Sequence, residues 1–314
     1  MTRAYVFPGQ GAQTIGMGKE LAEAYPAAQA VFDEVDEALG EKLSALIWEG
    51  DAETLTLTAN AQPALMACSL AAVRALDSEG IKIADGSFVA GHSLGEYSAL
   101  AAAGALSITD TARLLRLRGE AMQSAVPVGI GAMAAILGLD LAAVTALAND
   151  AAQGQVCQAA NDNDPAQVVV SGHTDAVERA AALAKERGAK RALLLPVSAP
   201  FHCALMQPAA DAMAEALASV AINAPVVPVV ANVTAAGVTD PDQIRALLVQ
   251  QITGAVRWRE SVAFMAAQGV TDVWEIGAGK ALAGMVRRID RGLTCVNIAT
   301  PKDIAAALAI AAQE

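Results

Sequence analysis

At 314 residues the chain can bury a sizeable core, as one large domain carrying an insertion or as two modest domains. A formal net charge of -12 argues against nucleic acid as a partner, because polyanion binding draws on a surplus of lysine and arginine. The hydrophobic share of 54% owes much to alanine, no apolar run approaches the roughly 20 residues of a spanning helix, and the start of the chain lacks the apolar stretch of a signal peptide, so a soluble, cytoplasmic protein is expected. Four scattered cysteines (Cys68, Cys157, Cys203, Cys295), with no Cys-x-x-Cys pair and no clustered histidines, argue against a zinc site or a disulfide framework, so no metal is expected.

In chain order, residues 4–7 form a short apolar strand that runs into the sharp loop Pro8-Gly9-Gln10-Gly11. Helical periodicity follows over 19–40 and 63–80, then a strand at 88–90, a helix over 96–104, and a Leu/Arg-rich helix over 109–126 that Pro127 stops. Alternating strand and helix is the pattern of a parallel sheet covered on both faces. From Gly129 the texture changes to strand 132–139, helix 140–152 and strands 156–160 and 167–172, the two strands joined by the turn-rich Asn161-Asp162-Asn163-Asp164-Pro165. A helix over 174–188 with a good N-cap and a glycine stop, then a strand over 191–197, complete a strand-helix-strand-strand-helix-strand unit of ferredoxin-like form. The expected organisation is a large α/β domain over 1–127 and 199–314, interrupted by a small ferredoxin-like domain over 128–198, with Pro127, Pro196 and Pro200 at the crossings. The large domain resumes with helix 207–220, strand 226–231, helices 241–253 and 260–268, strand 272–276 and a closing helix.

Gly91-His92-Ser93-Leu94-Gly95 sits between the strand at 88–90 and the helix that follows it. That is the context of a nucleophile elbow, in which glycines permit a tight turn that presents the serine hydroxyl at the end of a hydrolase-like parallel sheet. Ser93 is the candidate nucleophile, and the helix start aims the Leu94 backbone N–H toward an attacked carbonyl, half of an oxyanion hole. Nucleotide motifs fail: Gly9-Gln10-Gly11 lacks a glycine at Thr14, Gly18-Lys19 is followed by Glu20, and Gly129-Ile130-Gly131 opens a strand where a helix is needed.

A serine nucleophile needs a base, and three histidines are available. His92 precedes the serine on the same turn and is expected to pack beneath it. His173 reads as the lead-in to a helix, a capping or surface residue. His202, in the loop Ser198-Ala199-Pro200-Phe201-His202-Cys203 at the domain junction, is placed to reach across a cleft and is the favoured general base. Gln10 is either a simple loop amide or, since neighbouring parallel strands end on one side of a sheet, the second oxyanion donor. Of the three arginines on one helix, Arg113, Arg116 and Arg118, at least one faces solvent or a carboxylate; an arginine buried beside the serine would make sense for a substrate that carries its own carboxylate.

Together Phe7-Pro8-Gly9-Gln10-Gly11, Gly91-His92-Ser93-Leu94-Gly95-Glu96-Tyr97, Arg118-Gly119, Pro200-Phe201-His202 and Gly277-Ala278-Gly279-Lys280 resemble the malonyl-CoA:acyl carrier protein transacylases of bacterial fatty acid synthesis, nearly end to end. The resemblance implies that Ser93 attacks the malonyl thioester of coenzyme A, His202 takes its proton, Arg118 holds the malonyl carboxylate, and Gln10 with the Leu94 backbone forms the oxyanion hole. It further implies a ping-pong transfer to the pantetheine thiol of acyl carrier protein, with coenzyme A thioester as substrate and no permanently bound cofactor. The histidine would be oriented by a backbone carbonyl, that of Gln251, and Asn163 would fall in a loop along the pantetheine path. The carrier proteins are acidic as a class, so docking on this acidic chain calls for a local basic patch, for which Lys185, Arg187, Lys190 and Arg191 are the candidates.

The chain departs from the family where Ala255 and Ala278 stand in place of frequent prolines, and Phe201 before the histidine matches the pattern that goes with malonyl preference. Two other readings stay open on sequence: a serine esterase or thioesterase of α/β-hydrolase type, which would need an acid such as Asp175, and a non-catalytic carrier-binding module or loading domain. The coexistence of Ser93, His202 and Arg118 argues against the module, and the absence of an interdomain linker before Glu314 favours a freestanding enzyme.

Overall fold

The computed structural model describes residues 2–197 and 199–313 and has an α/β architecture built on two separate sheets; Ser198, the expected end of the small domain, lies outside the described residues. In chain order the strands are β1 Arg3–Phe7, β2 Phe88–Gly91, β3 Gly131–Leu137, β4 Cys157–Asp164, β5 Gln167–His173, β6 Arg191–Leu194, β7 Val229–Ala231, β8 Ala236–Val238, β9 Asp272–Ile276 and β10 Thr294–Ile298. The larger sheet is ordered β10-β9-β1-β2-β7-β8 and is parallel except for the antiparallel pair β7 and β8. The smaller sheet is ordered β4-β5-β3-β6 and is antiparallel throughout.

Every residue of the central strands β1 (RAYVF) and β9 (DVWEI) is buried, as expected of a parallel sheet covered by helices on both faces. Their polar members are satisfied: Arg3 Nε donates to Asp272 Oδ2 at 2.9 Å with its guanidinium 3.6 Å above the Trp274 ring. The Glu275 carboxylate accepts the backbone N–H groups of Leu282 and Ala283, which would otherwise be unpaired at the start of helix Ala281–Ile289. The register that pairs Phe7 with Gly91 brings the Pro8-Gly11 loop and the Ser93 turn to the same end of the sheet. Among the described residues no helix is long and apolar enough to cross a membrane.

Several elements differ from the sequence expectations. The 19–40 pattern is split into helices Lys19–Ala24 and Pro26–Leu39, because Pro26 starts a new helix at its first position. The helix expected from Pro63 begins earlier, at Thr58, where Gln62 Nε2 donates to Thr58 Oγ1 at 3.0 Å across the added turn. Residues 161–164 are not a turn but the end of β4, carried through two register shifts against β5. Asp162 and Asp164 tolerate burial there because Arg259 and Arg288 reach them from the helices Trp258–Ala267 and Ala281–Ile289. Asn163 therefore stands on a strand and not on a loop. The helix Thr174–Glu186 has no side-chain N-cap: Thr174 Oγ1 donates instead to Gly129 O, and His173 Nδ1 accepts the Val156 N–H. The last strand of the small sheet stops at Leu194, freeing Leu195 to Val197 to line a cleft. Local periodicity missed the short helices Leu43–Glu49 and Ala52–Thr56 and the strand β8, and it missed β10 and the helix Pro301–Ala311 after the expected closing helix.

Candidate active site

Ser93 closes the turn between β2 and helix Leu94–Ala102 with φ 54 and ψ -110, a backbone conformation that side-chain-bearing residues rarely adopt. The flanking glycines are sterically required: a Cβ on Gly91 would lie 1.9 Å from the Gly95 carbonyl carbon, and one on Gly95 would lie 2.3 Å from Phe7 O. Asn232, just past β7, ties the turn down by accepting the Ser93 N–H on Oδ1 at 2.8 Å and donating Nδ2 to Gly91 O at 2.7 Å. Around the turn, the N–H of Gly95 goes to His92 O and that of Glu96 to Ser93 O, and Leu94, at the first helical position, lines the cleft.

His202, also at positive φ (58), comes from the loop that returns from the small sheet. Its Nε2 lies 2.7 Å from Ser93 Oγ and its Nδ1 2.9 Å from Gln251 O. A carbonyl can only accept, so Nδ1 carries the proton and Nε2 is left to accept from the serine hydroxyl. Burial, and next the positive charge of Arg118, push His202 down to about 3, so the imidazole is neutral and competent as a base across the physiological range. Gln251 O holds the position that an acid would occupy in a hydrolase triad; Asp175 lies instead on the helix Thr174–Glu186 against the small sheet.

Arg118, on helix Ile108–Ser124, is 1% exposed. Nη1 donates to Gln62 Oε1 at 2.6 Å, and Nη2 to Gln251 Oε1 at 2.8 Å and to Ser93 Oγ at 3.1 Å. Among the described residues Nε has no hydrogen-bond partner. Its direct acceptors are thus neutral, and burial lowers its pKa. A buried guanidinium that no carboxylate among the described residues touches, anchored beside the Ser93 hydroxyl, is preorganised for an anionic group brought in from outside. The other two arginines of the helix are occupied elsewhere, Arg116 with Glu41 and Asn60, Arg113 with Ala38 O.

These side chains open onto a cleft of about 330 Å³ between the two sheets, whose walls include Gln10, Met122, Leu195 and Phe201. An adjoining cleft of about 300 Å³ shares Gln10, His92 and Leu195 and adds Asn163 and Gln167. Gln10 thus borders both, with its Oε1 accepting from Thr58 Oγ1 at 2.9 Å. His92 does not bond Ser93; its Nε2 meets Asn163 Oδ1 at 2.8 Å, so it faces the cleft and joins the two sheets instead of lying under the turn. His173 stays in the small sheet. Lys185, Arg187, Lys190 and Arg191 are exposed at the outer end of the small sheet, with Arg187 paired to Asp150. From Arg191 the chain runs about 13 Å along an extended strand to the cleft residue Leu195. Among the described residues no group of three or more His, Cys, Asp or Glu side chains could hold a metal ion.

Gln62, Asn232, Glu96 and the Gln251 side chain were not singled out from sequence. Glu96 stood next to the serine motif and could have been found there, whereas nothing near Asn232 in the sequence points to Ser93.

The acyl transferase domain family matches residues 4–294 of this chain. The malonyl CoA-acyl carrier protein transacylase of Escherichia coli (strain K12) is 50% identical over 305 residues, 97% of this chain and 98% of that protein. The crystal structure of acyl-carrier-protein-S-malonyltransferase from Bartonella henselae superposes with a TM-score of 0.97 at 56% identity, covering 99% of both chains. A malonyl-transacylase solved in complex with its type II PKS acyl-carrier protein superposes at 0.96 with 44% identity, over 99% of this chain and 100% of that one. With half of its residues shared over nearly the whole length, and with a serine, a histidine and a buried arginine converging in one cleft, the chain belongs to the malonyl CoA-acyl carrier protein transacylases of the acyl transferase family.

Proposed function

We propose that this chain moves a malonyl group from coenzyme A to the pantetheine thiol of acyl carrier protein, in fatty acid synthesis, through a malonyl ester on Ser93. The observation that carries this reading is Arg118: a buried cation with no carboxylate in contact among the described residues, its Nη2 3.1 Å from Ser93 Oγ. The likeness to named transacylases, one of them solved with its carrier, supports the same substrate and partner.

In the first half-reaction His202 Nε2 takes the Ser93 proton as Oγ bonds to the thioester carbon. The resulting oxyanion is stabilised by the Leu94 N–H, with Gln10 as the second donor, while Arg118 pairs with the distal carboxylate. Collapse breaks the carbon–sulfur bond, and the departing coenzyme A thiolate recovers the proton from His202. In the second half-reaction the carrier thiol gives its proton to His202 as its sulfur bonds to the ester carbon; collapse breaks the bond from that carbon to Ser93 Oγ, and His202 returns the proton to Oγ. Gln251 O holds His202 in the required tautomer. Gripping the far carboxylate keeps the ester carbonyl oriented until a thiol, a better nucleophile than water, enters. The adjoining cleft, bordered by Asn163, suits the pantetheine arm, and the exposed Lys190 and Arg191, with Lys185 and Arg187, suit an acidic carrier.

The turn at Ser93 reads as a nucleophile elbow, which its positive φ and tight glycines support. The small sheet with its two helices reads as a ferredoxin-like domain over 128–198 inserted into a catalytic domain over 1–127 and 199–314; the strand order β4-β5-β3-β6 supports this. Four unpaired thiols, at Cys68, Cys157, Cys203 and Cys295, suit the reducing cytoplasm.

Intact-protein mass spectrometry after incubation with malonyl-CoA tests the reading. The native chain should gain one malonyl group and lose it to a carrier thiol faster than to water, and the Ser93→Ala chain should gain none. Acylation that persists in Ser93→Ala would refute it.

A further inference from the structure

Behind the cleft, two acyl-site groups converge on one buried carboxyl that takes no part in the mechanism above. Glu96, 2% exposed, accepts on Oε2 from Gln251 Nε2 at 2.8 Å and from the Asn232 backbone N–H at 3.0 Å. The same Gln251 amide nitrogen lies 3.0 Å from Ser93 O. On the opposite side of that amide, Gln251 Oε1 accepts Arg118 Nη2.

A glutamine amide can sit in two orientations related by a flip, and the surrounding donors and acceptors decide between them. Turned the other way, Gln251 would set its NH₂ against the Arg118 cation and its oxygen against both the Ser93 carbonyl and Glu96 Oε2, three repulsive contacts around a buried amide. The acceptors Glu96 Oε2 and Ser93 O together hold the NH₂ away from Arg118.

We infer that Glu96 is a positioning residue for acyl selectivity: it orients the Gln251 amide so that its oxygen fixes the Arg118 guanidinium where the carboxylate of the acyl group must bind. The inference rests on the malonyl–Arg118 reading given above. The acceptor atom, and not the charge, is what the arrangement requires. Burial raises Glu96 to about 7, with the N–H bonds from Gln251 and Asn232 and the nearby Arg118 opposing the rise, and a proton on Oε1 leaves Oε2 free to accept. Glu96→Gln, whose own amide can turn its oxygen toward Gln251, should therefore preserve function, and the apolar Glu96→Leu should not.

The test compares kcat/KM for malonyl and for acetyl transfer from coenzyme A to carrier protein. In Glu96→Leu the malonyl-to-acetyl ratio should fall by about ten- to a hundredfold, the range expected when a hydrogen bond that orders a charged group is lost. Glu96→Gln should keep the ratio within about threefold of native, well under the loss of one such bond. Gln251→Met removes the relay but keeps the backbone carbonyl on His202, so it should lower the ratio as Glu96→Leu does, and the double variant should be no worse than either single one. If Glu96→Leu does not fold, Gln251→Met decides: an unchanged ratio there overturns the inference. Equal losses for malonyl and acetyl in the Leu variant, or additive effects in the double variant, also overturn it. Arg118→Ala is the control. If it too leaves the ratio unchanged, the carboxylate reading itself has failed; if only Arg118→Ala moves the ratio, the role of Glu96 has failed alone.

Discussion

Replacing Arg118 with alanine isolates the feature that separates this site from a general serine acyl site. The guanidinium is held by Gln62 and Gln251 and reaches Ser93 Oγ, so its place in the cleft is set before any acyl group arrives. Each charge-assisted bond from a guanidinium to a carboxylate contributes about 1.5–3 kcal/mol, so losing a two-pronged grip costs about 3–6 kcal/mol. That corresponds to a fall of roughly 10²–10⁴ in kcat/KM for malonyl transfer. Acetyl carries no carboxylate, and its transfer should lose the smaller factor, about ten- to a hundredfold, the worth of the single Arg118 contact with Ser93 Oγ. The assay follows labelled malonyl or acetyl from coenzyme A to carrier protein under kcat/KM conditions, with thermal melting to check that the variant is folded. The reasoning is refuted if both acyl groups lose the same factor, because Arg118 would then support the serine and not the substrate.

Other consequences follow from the same geometry. His202 acts as a base only while neutral, so the acidic limb of kcat/KM should lie well below the ordinary histidine value of 6.5, falling as pH drops toward 3; Arg118→Ala removes a charge that depresses His202 and should move the limb upward in the acetyl reaction. A native limb near 6.5 that the substitution leaves in place would contradict this. The shift of Glu96 bears on stability with the opposite sign to that of an ion-paired carboxylate: its folded value is raised from 4.5 to about 7, so its contribution is complete below pH 4.5 and is lost as pH rises through about 7. Glu96→Gln should flatten that part of the melting-temperature profile. Asn232→Ala strands the Ser93 N–H and Gly91 O and should destabilise the fold by about 2–4 kcal/mol, measured by urea denaturation, with malonyl and acetyl transfer falling together as the positive-φ turn relaxes. Reversing charge at Lys190 and Arg191 should raise the KM for carrier protein while leaving self-acylation by malonyl-CoA unchanged, and an unchanged KM would remove the docking patch.

The sequence by itself determined the strand, turn and helix around Ser93 and so its candidacy as nucleophile, because a strand, two glycines and a helix within a few residues are a local signal whose geometry follows from backbone sterics. The strand-and-helix alternation likewise implied a mainly parallel sheet, and the glycine-stopped helix and β-rich stretch after Gly129 implied a second unit. Local patterning failed where long-range partners override it: Asn161 to Asp164 read as a turn until Arg259 and Arg288, remote in sequence, made buried carboxylates tolerable in a strand. The edge strand β10, partly exposed, had too little apolar periodicity to stand out. Only the tertiary structure decided which residues touch. Ser93 and His202 are separated by 109 positions, and Ser93 and Asn232 by 139, so no spacing rule could join them. Among three arginines on one helix the local pattern left the choice open and only the resemblance named Arg118; that it, and not Arg113 or Arg116, faces the serine depends on which face the packing buries. A polar network such as Glu96, Gln251, Asn232 and Arg118 exists only once the core has closed around it, because each group is tolerated in the interior by partners that folding supplies.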